Sequence, residues 1–246
     1  MKRILFIIGI FLFISSSSLF SVETVLDNTL YNTILQKYLS HGKVDYTKLK
    51  EDRRGLDQYL KKIADLPIQM LQKASKNQQI AFYVNAYNAY TLQIIINNYP
   101  VKSIKDIKGV WDKIVCTVAG EELTLNEIEH GILRKQFQEP RIHFALVCAS
   151  RGCPVLLNKD YTGEKLDAQL ARQTAVFLTD SDKNRYDDSR NTLYLSLIFK
   201  WFRNDFGDLR IFVSKYFPKE IARQILTRNP KITYLRYDWA LNDRQK

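Results

Sequence analysis

The chain has 246 residues, 46% of them hydrophobic, with 14 Tyr and 13 Phe and a formal net charge of +11. That length and apolar content suffice to bury one sizeable core, which excludes a disordered or fibrous class. The positive charge is scattered among acids, as in KEDRRGLDQYLKK, and no nucleic-acid motif accompanies it, so no nucleic acid is expected as a partner.

The N-terminal MKRILFIIGIFLFISSSSLFS carries two basic residues, an apolar run and then small residues, the pattern of a secretory signal. Residues 1–21 are therefore read as a signal peptide and 22–246 as a single domain, periplasmic or secreted. Cleavage is expected after Ser18 or Ser21. Removing Lys2 and Arg3 leaves 35 basic against 26 acidic side chains, a net of +9. A basic surface outside the cytoplasm suits anionic lipid, glycan or cell wall. The run from Ile4 to Ile14 falls short of the ~20 residues that cross a bilayer, and no later segment is long and apolar enough, so no transmembrane span is expected once the signal is removed. Three cysteines in an oxidising compartment leave at least one thiol unpaired within the chain.

From Val25 to Tyr38 the pattern is that of an amphipathic helix, broken at His41-Gly42-Lys43 and resumed from Tyr46 to Ala64 with Thr47 as a cap. Pro67 marks the next boundary. Gln78 to Asn98 is apolar nearly all round, which predicts the central buried helix of the core. Asn85 and Asn88 interrupt it and share a face. A buried amide without partners costs about 1–3 kcal/mol, so the pair either ties the helix to a neighbouring backbone or lines a ligand pocket.

After Tyr99-Pro100 the pattern turns to strands, with Trp111 to Val118 and Glu122 to Leu123 flanking a hairpin turn at Ala119-Gly120. A helix from Leu125 to Lys135 follows, opened by Thr124 and Glu127 as a capping box. Ile142 to Val147 reads as a strand covered on both sides, ending in the small-residue loop that holds Cys148 and Cys153. Further helices are expected over Tyr161–Leu178, Ile198–Asn204 and Lys219–Arg228, a hairpin over Arg185–Leu197 and a last strand over Ile232–Trp239. Early helices and clustered, irregular strands give an α+β domain with a mixed or antiparallel sheet.

The chemistry-bearing candidates are few. On a helical wheel Glu129 falls inside the apolar arc of Leu125, Ile128, Ile132 and Leu133, with His130 at its edge. A buried carboxylate needs a cation or several donors, and Arg134 or Arg141 is the expected partner. His130 is the candidate base for a thiol on the cysteine loop, since a thiolate is held by an imidazole within hydrogen-bond reach. A short Cys148–Cys153 disulfide pinning the loop is the alternative. A mixed zinc site of Cys148, Cys153 and His130 or His143 is the weaker reading, because C-x4-C lacks a second matching pair. There is no phosphate loop, no Gly-x-Ser-x-Gly elbow, no His-Glu-x-x-His and no dinucleotide fingerprint, so neither cofactor nor metal is expected.

FYVNAYNAYT, LTLNEIEHGILR, PRIHFALVCASRGCP, IFKWFRNDFG and ITYLRYDWALND, in that order, resemble the domain-of-unknown-function family numbered 547 over about residues 44–242. The resemblance implies that Asn85, Glu129, His130, Cys148 and Cys153 occupy the family's motif positions. Arg151-Gly152 stands before Cys153 where many bacterial relatives have an uncharged residue and serine. The resulting expectation is an exported thiol-dependent hydrolase or transferase acting on an amide or thioester. Its nucleophile is Cys153, its base His130, and its oxyanion donors are Asn85 or backbone amides of the loop. The alternative is a non-catalytic envelope domain that binds a small-molecule or peptide ligand, with Cys148–Cys153 oxidised.

Overall fold

A computed structural model describes residues 25–245; the signal-peptide reading of residues 1–21 lies outside them. The described chain is α+β. Its helical front half comprises α1 (Thr29–Tyr38), the two-residue strands β1 (Leu39–Ser40) and β2 (Lys43–Val44), α2 (Tyr46–Glu51), α3 (Arg54–Asp65), α4 (Ile68–Lys73) and α5 (Lys76–Asn98), and strands β3 (Val115–Val118) and β4 (Glu121–Thr124) follow. The expected helix from Tyr46 to Ala64 is two helices, because the chain leaves helical geometry at Asp52. Its cap is Asp45, not Thr47: the Asp45 carboxylate accepts from the Lys48 N–H at 3.1 Å, and its charge suits the positive end of the helix.

The centre is α5, opened by a reciprocal capping box between Ser75 and Gln78 and buried from Ile80 to Leu92 without a break. A helix with no polar face has to be surrounded, and α2, α3, α6 (Leu166–Leu178) and the segment after β4 all pack on it. Its two buried amides take the backbone-tying role. Asn85 donates to the Tyr161 carbonyl and accepts from the Tyr161 N–H, both at 2.9 Å. Asn88 does the same to the Ala145 carbonyl and the Val147 N–H, again at 2.9 Å.

The hairpin of β3 (Val115–Val118) and β4 (Glu121–Thr124) turns through Ala119 and Gly120, both at positive φ, 51° and 80°. Thr124 and Glu127 form the expected capping box, but the helix they open, Glu127–Phe137, is wound as a π-helix. The expected strand over Ile142 to Val147 is absent. Pro140–Phe144 is instead a 3₁₀ helix, with Pro140 in its first turn and the Glu139 carboxylate accepting from the Arg141 N–H. Asn88 then satisfies the following backbone in place of a neighbouring strand. α6 starts at Leu166 rather than Tyr161.

The C-terminal third holds β5 (Arg185–Asp187), β6 (Thr192–Leu195), α7 (Ile198–Trp201), α8 (Leu209–Ser214), α9 (Lys219–Arg228) and β7 (Lys231–Tyr234). β5 pairs antiparallel and β7 parallel with β6, a small mixed sheet. The last strand is shorter than expected because the chain beyond Tyr234 leaves it to cover the cysteine loop. The Arg151 and Gly152 N–H groups donate to the Ala240 and Asp238 carbonyls, and the Asn242 N–H donates to Ala149. A Cβ at Gly152 would lie 3.0 Å from Asp238 backbone atoms, so any side chain here would have to push the tail back by a few tenths of an ångström. The Val44 N–H donates to Asn242 and the Arg244 N–H to Val44, which ties the same tail to the N-terminal helices.

Replacing Asn88 by Ala would orphan a buried carbonyl and a buried N–H together. Asn88→Ala is expected to lower stability by about 3 kcal/mol in urea unfolding. An unchanged midpoint would show that the Ala145–Val147 backbone has other partners.

Candidate functional site

A cavity of about 240 Å³ opens between α5, the π-helix, the cysteine loop, α7 and the C-terminal tail. Its walls are mostly aromatic: Tyr87, Trp111, Trp201, Phe202, Tyr237 and Trp239. These are all three tryptophans of the chain. Trp201, Tyr237 and Trp239 form a cluster with centroids 4.6–5.6 Å apart, and Trp111 meets Trp239 edge-on at 6.0 Å. Such a wall is rigid and largely dehydrated, with few polar groups to orient what enters.

One end of the cavity carries Glu129, His130 and His143. Eleven residues of π-winding are long for a geometry that occurs mostly as single-turn bulges, often at functional sites. Along this helix Leu125, Ile128, Ile132 and Leu133 are buried, as the wheel places them. The Glu129 side chain is 12% exposed, and burial pushes its carboxyl up to about 7, against a smaller opposing pull from Arg134 and a hydrogen bond from the Tyr87 hydroxyl. The expected ion pair with Arg134 or Arg141 does not form. Arg141 binds Glu139 and Asp167, and Arg134 forks onto Asp205 at 2.6 and 2.8 Å. The Asp205 carboxylate is thereby held well below the usual range, by Arg134 first and by His143 second.

Tautomers follow from the partners. A guanidinium only donates, so its 3.0 Å contact makes Nδ1 of His130 the acceptor and puts the neutral ring's proton on Nε2. The Asp205 carboxylate only accepts, so Nε2 of His143, 2.7 Å away, carries a proton. Burial lowers the His143 pKa, and the imidazole stacks on Phe202 at 3.9 Å. Its Nδ1 lies 3.7 Å from the Glu129 carboxyl, just beyond hydrogen-bond length. Glu129, His143 and Asp205 thus form a row in which a carboxyl that exchanges its proton near pH 7 faces an imidazole oriented by a fixed carboxylate.

The cavity wall also carries Cys148 and Cys153, joined as a disulfide. Cys148 is half-buried and Cys153 is 4% exposed. The Cys148 N–H at 3.0 Å and the Tyr237 hydroxyl at 3.1 Å donate to the Cys153 sulfur, and the Ser150 hydroxyl lies within reach of Cys153 at 3.4 Å, of Cys148 at 3.2 Å and of the Tyr237 oxygen at 3.1 Å. Burial raises the Tyr237 hydroxyl's pKa, with a smaller push from Glu129, so it remains a donor at neutral pH. The third cysteine, Cys116, is buried on β3 with its thiol pushed up to about 12.

Four of the five residues singled out from the sequence, Glu129, His130, Cys148 and Cys153, therefore line one cavity. Asn85 does not. It lines a separate cavity of about 260 Å³ beside α1, with both ends of its amide committed to Tyr161. The loop amides proposed beside it as oxyanion donors are committed as well: those of Arg151, Gly152 and Cys153 donate to the carbonyls of Ala240, Asp238 and Ser150. His130 makes its polar contact with Arg134 and has no hydrogen bond to either loop sulfur among the described residues. Asp205, Tyr237, Tyr87 and the tryptophans were not singled out. Asp205 and Tyr237 do sit inside IFKWFRNDFG and ITYLRYDWALND, where an acid and a tyrosine among aromatic residues were the available signal. No group of three or more His, Cys, Asp or Glu among the described residues is placed to hold a metal ion.

Residues 71–178 match the family model described as protein of unknown function, DUF547. The match takes in α5, the π-helix and the cysteine loop; the chain beyond Leu178, including Asp205, Tyr237, Trp201 and Trp239, lies outside it. Neither the curated proteins nor the solved structures contain a match to the chain.

Glu129 gives the site a pH signature. Its carboxyl titrates higher in the folded chain than the ordinary value of 4.5, so folding favours the protonated form. The stabilisation contributed by Glu129 is then fully present below pH 4.5 and is lost as pH rises to about 7, by about 3 kcal/mol in all. The two histidines shift in the opposite sense, which makes the difference between wild type and Glu129→Gln the informative quantity. Urea unfolding from pH 4.5 to 7.5 should show wild type losing that much relative to the variant. Parallel profiles would place the Glu129 carboxyl in water.

Proposed function

We propose that the protein is an exported ligand-binding domain whose aromatic cavity takes a small molecule or an extended peptide segment, with the Cys148–Cys153 disulfide as part of its wall. The observation that carries this reading is the cavity itself. Three tryptophans, two tyrosines and a phenylalanine line a space whose wall also holds a protonatable carboxyl and a disulfide. Trp201 is 45% exposed at its edge, the kind of large apolar surface that marks a place of contact. A ligand with an apolar or aromatic group suits the walls, and a hydrogen-bonding group suits Glu129 and the Tyr237 hydroxyl. Export is supported by the charged, apolar and small-residue order of residues 1–21 and by a disulfide near the surface, which an oxidising compartment preserves.

A thiol-dependent hydrolase or transferase acting on an amide or thioester is the second reading. It is favoured by the donors around the Cys153 sulfur, which would stabilise a thiolate. It requires the pair to be open. It also requires a base other than His130, whose Nδ1 accepts from Arg134, and oxyanion donors other than Asn85 and the loop amides. The binding reading needs none of these changes.

Because every tryptophan lines the cavity, occupancy is readable by intrinsic fluorescence. Anilinonaphthalene sulfonate, an apolar anionic dye, is expected to quench tryptophan emission by energy transfer. Trp201→Ala should weaken its binding about fivefold or more, since much of one large aromatic contact is lost. Equal affinity for wild type and variant would place the dye elsewhere. Mass spectrometry of the mature chain should find an N-terminus at Leu19 or Val22; a product still beginning at Met1 would remove the export part of the reading.

A further inference from the structure

The two sulfurs in the cavity wall are not equivalent. Cys148 is half-buried, whereas Cys153 is buried and alone receives the Cys148 N–H, at 3.0 Å; the Tyr237 hydroxyl lies nearer Cys153, at 3.1 Å, than Cys148, at 3.4 Å, and the Ser150 hydroxyl touches both sulfurs. In exchange between a thiol and a disulfide, the accessible sulfur is attacked, and the better leaving group is the one whose thiolate is better stabilised. Access and stabilisation here fall on opposite members of one pair. A disulfide that only pins a loop requires no such asymmetry.

We propose that Cys148–Cys153 is an exchangeable redox couple that oxidises a thiol-bearing ligand held in the aromatic cavity, with Cys148 the sulfur attacked and Cys153 the sulfur released. This rests on the reading of the cavity as a ligand site. In the first step a thiolate of the ligand forms a bond to Cys148 Sγ as the disulfide breaks, and the electron pair of that bond leaves on Cys153 Sγ. The product is a mixed disulfide at Cys148 and a thiolate at Cys153, which the Cys148 N–H and the Tyr237 hydroxyl hold. In the second step a further thiolate, from a second ligand molecule or the other sulfur of a dithiol, attacks the ligand's own sulfur and displaces Cys148 as thiolate. The ligand leaves as a disulfide, the protein has gained two electrons, and the two protons shed by the ligand thiols end on Cys148 and Cys153. Tyr237 touches Cys153, so its hydroxyl is the donor in place when Cys153 takes up its proton. Reoxidation is the reverse exchange with a disulfide of another molecule.

The test uses the full oxidised chain and reduced glutathione at pH 7 without denaturant, quenched with acid and read by peptide mass mapping. The expected result is a transient glutathione adduct on Cys148 followed by the reduced pair. The Cys153→Ser variant, mixed with oxidised glutathione, should accumulate the adduct on Cys148. Tyr237→Phe removes a donor to a charged sulfur and should slow the first exchange about tenfold or more. If Tyr237→Phe fails to fold by circular dichroism, Ser150→Ala supplies the same readout with a smaller effect. Reduction only after unfolding, an adduct on Cys153 instead of Cys148, or donor variants that exchange at the wild-type rate would each overturn the proposal. Dye binding separates the two readings: a chain that quenches with the dye but does not exchange loses this inference alone, whereas a chain that does neither loses the ligand site with it.

Discussion

The amide of Asn88 holds in place the backbone that leads into the candidate site. It meets the Ala145 carbonyl and the Val147 N–H, so a segment that looks like a strand is paired to a side chain. Cys148 follows directly. Three residues back on the same face of α5, Asn85 holds Tyr161 in the same way, so one rigid helix fixes the chain on both sides of the cysteine loop. Loops that carry chemistry need a stiff support, and here that support is a buried helix acting through two polar side chains. The arrangement is stable because each amide is satisfied on both its donor and its acceptor side.

The polar end of the cavity is organised around Asp205. Two of its contacts come from Arg134 and one from His143, and they leave the carboxylate nothing to gain by taking a proton. Its charge therefore stays fixed while its neighbours adjust. Arg134 also occupies the acceptor nitrogen of His130, which removes that imidazole from proton chemistry at the sulfur. The remaining mobile proton belongs to Glu129, where burial outweighs the pull of the nearby guanidinium. A buried acid without an ion pair costs stability, a pattern more common at working sites than in structural salt bridges.

Much of the architecture was legible in the sequence, and the exceptions share a cause. The unbroken apolar run of α5, the Thr124–Glu127 box and the Ala119-Gly120 turn depend on residues close in the chain, and they appear as expected. The segment Ile142 to Val147 was read as a strand because apolar residues without helical period normally imply neighbouring strands. Its true partner lies 57 and 59 residues away as a side chain, which no local pattern encodes. The same holds for the site. Glu129 was placed by its helical phase, and the cysteines drew attention by type. The roles of His130, Arg134 and Tyr237 depended on contacts between distant elements. Arg134 was expected to meet Glu129, but Asp205 offers a bidentate carboxylate 71 residues on.

The tail from Tyr237 to Asp243 reaches the cavity, the cysteine loop and the helical front half at once. These residues are synthesised after the helices they fasten. A growing chain can assemble α1 to α5 first, but Arg151 and Gly152 have no carbonyls to meet, and Cys153 has no Tyr237 beside it, until the tail has been made. The sulfur pair therefore passes through a period with α5 beneath it and no cover above it. Completion of the site is in this sense a timed event, set by the direction in which the polypeptide is made.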